Sequence, residues 1–239
     1  MSGGSSLLLD PHVHSEASYD GHEPVELILE HAADIGLDAV AITDHDVIHA
    51  SLEAVDRAPE YGVVAVPGVE VSTRHGHLLA LGVEELPPVG APFDETVATV
   101  RGMGGIAVVP HPFQRTRHGV ARRRIADCDA VEVYNAWLFT GYRNRRARAF
   151  AARNDYPGVA GSDAHRLMSV GRAHTELRLD EPEPDADDVV AAIRDGATAV
   201  HGRRAPLHRS AGHYARGAAR KTAYAARQAP ATVVGALLG

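Results

Sequence analysis

Cysteine is all but missing from this 239-residue chain: Cys128 is the only one, which excludes an internal disulfide and any cysteine-rich zinc site. It falls in the stretch IADCDAVEV, where a helix is expected to turn into a strand, and reads as a half-buried structural thiol. Aromatic residues make up only 5% of the chain, and Lys221 is the single lysine among 24 basic residues. No apolar run approaches the roughly 18–20 residues of a membrane-spanning helix. The opening MSGGSSLLLD lacks the basic n-region and apolar length of a signal peptide. A cytoplasmic protein with no membrane partner is therefore expected. Acidic residues are absent after Asp195, whereas Arg203, Arg204, Arg209, Arg216, Arg220, Lys221 and Arg227 bring seven positive charges. Setting those seven aside leaves 17 basic against 31 acidic residues, so the formal charge of −7 hides a strongly acidic body. An acidic body disfavours nucleic-acid binding, which rests on neutralising phosphates, and only the basic tail argues for it.

What is present is a globular composition, 45% hydrophobic and 23% charged, at a length suited to one domain with a sizeable core. Short apolar runs alternate with helical stretches. Strands are expected at Ser6–His14, Asp38–His45, Val63–Thr73, His77–Val83, Gly105–Pro110, Ala130–Asn135, Gly158–His165, His174–Leu179 and Thr198–His201. Helices are expected at Pro24–Gly36, Ala50–Gly62, Phe93–Gly102, Arg122–Cys128, Gly141–Asn154 and Ala186–Gly196. In the first helix Leu27, Ile28, Ala32 and Ile35 are assigned to the buried face. The acidic stretch Asp180–Asp188 reads as a solvated linker that ends as a helix N-terminus, where the dipole favours negative charge. More than six βα units without a GxGxxG turn favour an α/β fold of the closed-barrel type over a doubly wound sheet. Residues 1–202 form that barrel, and residues 203–239 are a basic, Ala/Arg-rich and partly helical tail.

Fifteen histidines are the unusual feature, and their positions matter more than their number. His12 and His14 end the first strand as an HxH pair, which the period of two aims in one direction. Asp20 follows in the next loop. His45 and Glu70 end the second and third strands, His77 opens the fourth, His111 ends the fifth, and Asp163 with His165 end a later one. In a βα barrel those C-terminal ends converge on one face, where active sites are built. His75 competes with His77, but His77 opens the apolar run LLALG while His75 lies in a glycine-bounded turn. His22, His31, His49, His118, His174, His201, His208 and His213 are read as surface residues. A mixed nitrogen and oxygen ligand set suits Mn²⁺, Zn²⁺ or Fe²⁺.

The motifs DPHVHSEASYDG, AITDHD, PGVEVS, VVPHP, VEVYN and GSDAH, in this order over residues 7–172, resemble the polymerase-and-histidinol-phosphatase (PHP) family of metal-dependent phosphoesterases. The resemblance implies a distorted (β/α)7 barrel, similar to a TIM barrel, with three divalent ions. One ion would be held by His12, His14, Glu70 and Asp163. Glu70 would bridge to a second, bound also by His77 and His111, and Asp20, His45 and His165 would hold the third. The expected reaction is in-line attack of a metal-bridging hydroxide on a phosphomonoester, either a phosphorylated small molecule or a nucleotide. Asp163, Glu70, His45 and Arg115 form the expected catalytic set, with Arg115 and Arg166 as guanidinium anchors for the substrate phosphate. Arg143, Arg145, Arg146 and Arg148 read as a solvated helix face, and Asn135 either lines the pocket or caps a turn. Only 40 residues separate Glu70 from His111, whereas family members acting on nucleoside bisphosphates carry an inserted domain there, so a more open pocket is implied. The alternatives are a phosphodiesterase or 3′–5′ exonuclease, and then a non-catalytic metal-binding module.

Overall fold

A computed structural model describes residues 5–125, 127–137 and 141–203. The tail from residue 204, with His208 and His213, lies outside them. The strands are β1 (Ser5–Val13), β2 (Ala39–Ile42), β3 (Val64–Ala65), β4 (Gly68–Thr73), β5 (Gly76–Leu81), β6 (Ile106–Val109), β7 (Ala130–Asn135), β8 (Gly158–Gly161), β9 (Ala173–Leu179) and β10 (Thr198–Gly202). Five α-helices accompany them: α1 (Val25–Asp34), α2 (His49–Arg57), α3 (Phe93–Gly102), α4 (Gly141–Arg153) and α5 (Ala186–Arg194). Among the described residues no helix is long and apolar enough to cross a membrane.

Among the described residues the strands do not close into the single barrel sheet expected from the βα rhythm. The strands make two five-stranded sheets, ordered β10-β9-β1-β2-β3 and β4-β5-β6-β7-β8, each mixing parallel and antiparallel pairs. Two local features explain the departure. The expected strand Val63–Thr73 is shared between the sheets: Val64–Ala65 pairs with β2, the chain passes Pro67, and Gly68–Thr73 pairs with β5. Proline has no N–H to carry a ladder onward. The β4–β5 connection is a tight hairpin, Thr73 opposite Gly76, with no room for a crossover helix. The two sheets nevertheless meet at their ligand-bearing ends through single bridges, Val13 with Ala164 and His45 with Glu70.

Between the sheets, alternate residues of several strands point inward as the period of two requires: Leu7 and Leu9, Leu79 and Leu81, Ile106 and Val108. Val189, Val190 and Ile193 of α5 close the base of this core. That helix begins at Asp185, whose carboxylate accepts from the N–H groups of Asp187 and Asp188 in a capping box. The acidic linker thus ends as expected. The helix Ala50–Gly62 becomes α2 plus a 3₁₀ turn at Ala58–Tyr61, where Pro59 intervenes, and Arg122–Cys128 contracts to a 3₁₀ turn at Arg122–Arg124. In α1 the buried residues are Val25, Ile28, Leu29 and Ala32, while Leu27 and Ile35 are exposed. The expected face was therefore rotated, because the i, i+3, i+4, i+7 series starts at Val25. Cys128 is fully inside rather than half-buried, packed in a cluster with Val97, Val100 and Ile125.

Gly161 at the end of β8 is a point where the fold and the ligands press on each other. A Cβ placed there would sit 2.7 Å from His12 Cβ and 2.6 Å from Glu132 Oε1. A single added methyl in so dense a site costs about 1–3 kcal/mol in strain. Gly161→Ala is expected to give a folded protein of lower melting temperature whose Mn²⁺ affinity, measured by calorimetric titration, falls at least tenfold. Unchanged affinity would show that this contact does not set the position of His12.

Candidate metal centre

Nine residues proposed as ligands come together in one buried cluster. Their donor atoms form four overlapping groups: His14, Asp20, His45 and His165; His12, His111 and Asp163; His12, His14 and Glu70; and His45, Glu70 and His77. Within each group the atoms lie inside 4.8 Å of one another. The groups share members rather than dividing into three separate sets, since His12, His14, His45 and Glu70 each belong to two. The other expected surface histidines fall outside them: His22, His31 and His174 are half-buried, and His49, His118 and His201 are exposed. His75 is occupied elsewhere, its Nδ1 accepting from the N–H of Phe93 at the start of α3.

Glu70 stands at the centre, 1% exposed. Its Oε1 lies 2.9 Å from His77 Nδ1 and 2.9 Å from His111 Nε2. Its Oε2 lies 3.3 Å from His12 Nε2, 3.3 Å from His14 Nε2 and 3.2 Å from His45 Nδ1. Asp163 Oδ1 is 3.5 Å from His14 Nε2, and Asp20 Oδ2 is 3.0 Å from His165 Nε2. Hydrogen bonds from His12, His77 and His111 to Glu70 account for only part of this convergence. His14 Nδ1 and Nε2, His45 Nδ1 and His111 Nδ1 are buried without a hydrogen-bond partner among the described residues. Buried polar nitrogens left this way are costly. Imidazole and carboxylate donors packed around shared points fit divalent cations, so the residues present suit the metals that the sequence resemblance implies.

Electrostatics point the same way. Burial opposes ionisation of Glu70, but His45, His77 and His12 outweigh it and hold the carboxyl well below its usual range. Asp163 is likewise kept ionised against burial by Arg117, His12 and His14. Burial works against a charged His14, yet Asp163 and Glu70 overcome it and raise the imidazole to about 10. At His45 burial prevails over Glu70 and Asp20 and pushes the imidazole down to about 4.

Several supporting residues were not singled out from the sequence. Glu132, buried in β7 within VEVYN, places Oε1 3.0 Å from His12 Nδ1 and accepts from the His111 N–H through Oε2. It thereby directs the His12 Nε2 lone pair toward the cluster. Its signal was a carboxylate flanked by valines in an otherwise apolar strand. Asp44 accepts from the N–H and hydroxyl of Ser15, fixing the loop after His14. Asn135, for which pocket lining and turn capping were both open, is fully buried: its Nδ2 donates to Glu132 and Asp163, and its Oδ1 accepts from the Trp137 N–H. Arg117, two residues past Arg115, pairs with Asp163 at 2.6 Å, its side chain 11% exposed. The side chain of Arg115 lies outside the described residues. Arg166 is exposed beside the cluster, with no ion pair among the described residues. His111 and Asp163 adopt positive φ, 28° and 54°. Such strained backbone persists where surrounding structure overdetermines it, as at functional sites.

Residues 10–159 match the family model described as the PHP domain, and residues 141–198 match a PHP-associated model. The chain belongs to the PHP family. It is accordingly a metal-dependent phosphoesterase, a hydrolase. An uncharacterized protein of Methanocaldococcus jannaschii is 35% identical over 129 residues, 54% of this chain and 75% of that one. A phosphoribosyl 1,2-cyclic phosphate 1,2-diphosphodiesterase of Eggerthella lenta is 40% identical over 88 residues, 34% of this chain and 33% of that one. Among solved structures, a two-domain protein from Bacteroides vulgatus containing a predicted PHP-like metal-dependent phosphoesterase aligns with a TM-score of 0.72 at 19% identity. That alignment covers 85% of this chain and 66% of the other, and shows a shared fold.

Metal binding needs neutral imidazoles. Below its raised pKa His14 carries a proton that stabilises the metal-free fold, a contribution fully present below its ordinary 6.5 and lost as pH rises toward about 10. Binding must displace that proton. Apparent Mn²⁺ affinity is therefore expected to fall by ~tenfold for each pH unit of acidification from about 8 to 6, per proton displaced. Calorimetric titrations in buffers of different ionisation enthalpy would count the protons. A pH-independent affinity with no proton release would contradict this electrostatic picture.

Proposed function

We propose that this centre hydrolyses phosphomonoesters of small molecules or nucleotides, with His12, His14, Glu70 and Asp163 holding one ion, Glu70, His77 and His111 a second, and Asp20, His45 and His165 a third. Mn²⁺, Zn²⁺ and Fe²⁺ all suit these donors. Ions bound there would supply a water of lowered pKa and offset the charge of a phosphate dianion. The observation that carries the reading is Arg117: a guanidinium already held against Asp163, at the edge of a buried cluster of histidines and carboxylates. Its fork can exchange one carboxylate contact for two phosphate oxygens and orient the ester for displacement. This gives Arg117 the anchoring role that spacing alone had assigned to Arg115 and Arg166. Glu132 keeps His12 in the tautomer that presents Nε2, and Asn135 steadies Asp163. Tyr19 stacks on His45 at 4.8 Å and Trp137 on His165 at 5.8 Å, so aromatic faces shield two ligands from bulk water.

Phosphodiester cleavage is the second reading. The diphosphodiesterase relative favours it, and so does the short segment between Glu70 and His111, which leaves the centre without an inserted domain. A panel of phosphomonoesters and phosphodiesters, run on protein loaded separately with Mn²⁺, Zn²⁺ and Fe²⁺, separates the two.

With p-nitrophenyl phosphate, Asp163→Asn is expected to lower kcat at least ~100-fold while the protein stays folded, since even outer-shell changes at metal sites cost 10–100-fold. Arg117→Ala is expected to raise KM about tenfold or more, matching the loss of a charge-assisted contact of ~1.5–3 kcal/mol, and guanidinium ion should restore part of it. Full activity in Asp163→Asn would overturn the assignment.

A further inference from the structure

A second cleft lies on α4, outside the metal cluster, with a volume of about 210 Å³. Phe113, Arg122, Tyr142, Arg145, Arg146 and Phe150 line it, along with Arg153 at the end of the helix. No acidic residue lines it, and none of these arginines pairs with a carboxylate among the described residues. The surrounding segment is just as one-sided. Residues 115–153 hold ten arginines against three acidic residues, in a body that is otherwise strongly acidic. The solvated helix face expected of α4 is thus one wall of a basic cleft.

Two of the guanidinium groups, those of Arg122 and Arg146, are already placed. Arg146 lies over the Phe113 ring at 5.2 Å and the Tyr142 ring at 5.7 Å, and Arg122 lies over Phe150 at 5.8 Å. Cation–π contacts of this kind hold the planar groups on flat supports, so less freedom is lost when they bind an anion. Tyr142 itself is 57% exposed, a large aromatic face turned to solvent. Tyr142, Arg146, Ala149 and Arg153 follow one helix face at spacings of four, three and four, and alanine in the middle leaves the space between the arms. The cleft is also tied to the metal centre: Arg143 donates to the carbonyl of Phe113, two residues past His111.

We propose that this cleft is a docking site for single-stranded nucleic acid. Phosphates would pair with Arg122, Arg145, Arg146 and Arg153, and a base would stack on Tyr142. Alternating cations and exposed rings suit unpaired bases joined by phosphates, because every base has a π-face and every linkage a charge. A duplex hides the bases, and an acidic peptide would leave the tyrosine face unused. The proposal concerns binding and is independent of which phosphoester the metal centre cleaves.

The test is fluorescence anisotropy with the full chain and fluorescein-labelled (dT)12, with gels confirming that the oligonucleotide stays uncut. The double variant Arg145→Glu/Arg146→Glu should bind at least tenfold more weakly and show a shallower dependence of affinity on salt. Tyr142→Ala should lose about fivefold or more, whereas Tyr142→Phe should retain the ring and the affinity. All three positions are at the surface, and melting curves verify folding. The idea fails if both disruptive variants bind like the parent protein, with the affinity residing instead in residues 204–239. It fails equally if a duplex of the same length binds the parent as tightly as the single strand, which would make the cleft a general polyanion surface.

Discussion

Burying a carboxylate is expensive unless opposite charge and hydrogen bonding recover the loss, and at Glu70 five imidazoles crowd around a single pair of oxygens. The rest of the site is arranged by that crowding. His12 and His14 arrive from β1, His45 from the end of β2, His77 from β5 and His111 from the end of β6, so both sheets must meet where Glu70 sits. They meet there through the bridges of His45 with Glu70 and Val13 with Ala164. The convergence leaves several ring nitrogens without hydrogen-bond partners. Such an arrangement is poor as a hydrogen-bonded core and suitable as a cation cage.

Much of this was legible in the sequence, for identifiable reasons. Ligands at strand ends announce themselves through apolar runs that stop at His, Glu or Asp, and the HxH and DxH pairs add the period of two. The nine residues named on that basis lie together in the structure. Sheet closure was not legible, because pairing direction depends on turns. A βα rhythm reads alike for a closed barrel and for two mixed sheets split at Pro67 and folded back at Thr73–Gly76. Supporting residues were equally hard to see. Glu132 sits in a strand where only its neighbours' burial reveals that it faces the histidines, and nothing in RTR marks out Arg117 until its guanidinium is seen against Asp163. The register of α1 is not legible from its apolar residues alone, because Val25 belongs to the buried series and Leu27 does not.

Charge is partitioned over the surface in a way that net totals conceal. The acidic body contains a local arginine concentration on α4 and the segment before β7, beside the loop that carries His111. One loop thus has two faces. His111 and Arg117 attend the metal centre, and Phe113 supports the arginine cleft. A change in that loop would therefore touch both the metal centre and the wall of the arginine cleft.

On the proposed reading, Glu70 organises a cluster of ions and not only a network of hydrogen bonds. Elemental analysis of purified protein against the Glu70→Gln variant, each equilibrated with excess Mn²⁺ and desalted, tests it most directly. The parent should retain more than one ion per chain, and Glu70→Gln should lose at least two together while remaining folded. Equal metal content in the two proteins, or no retained metal in either, would contradict it.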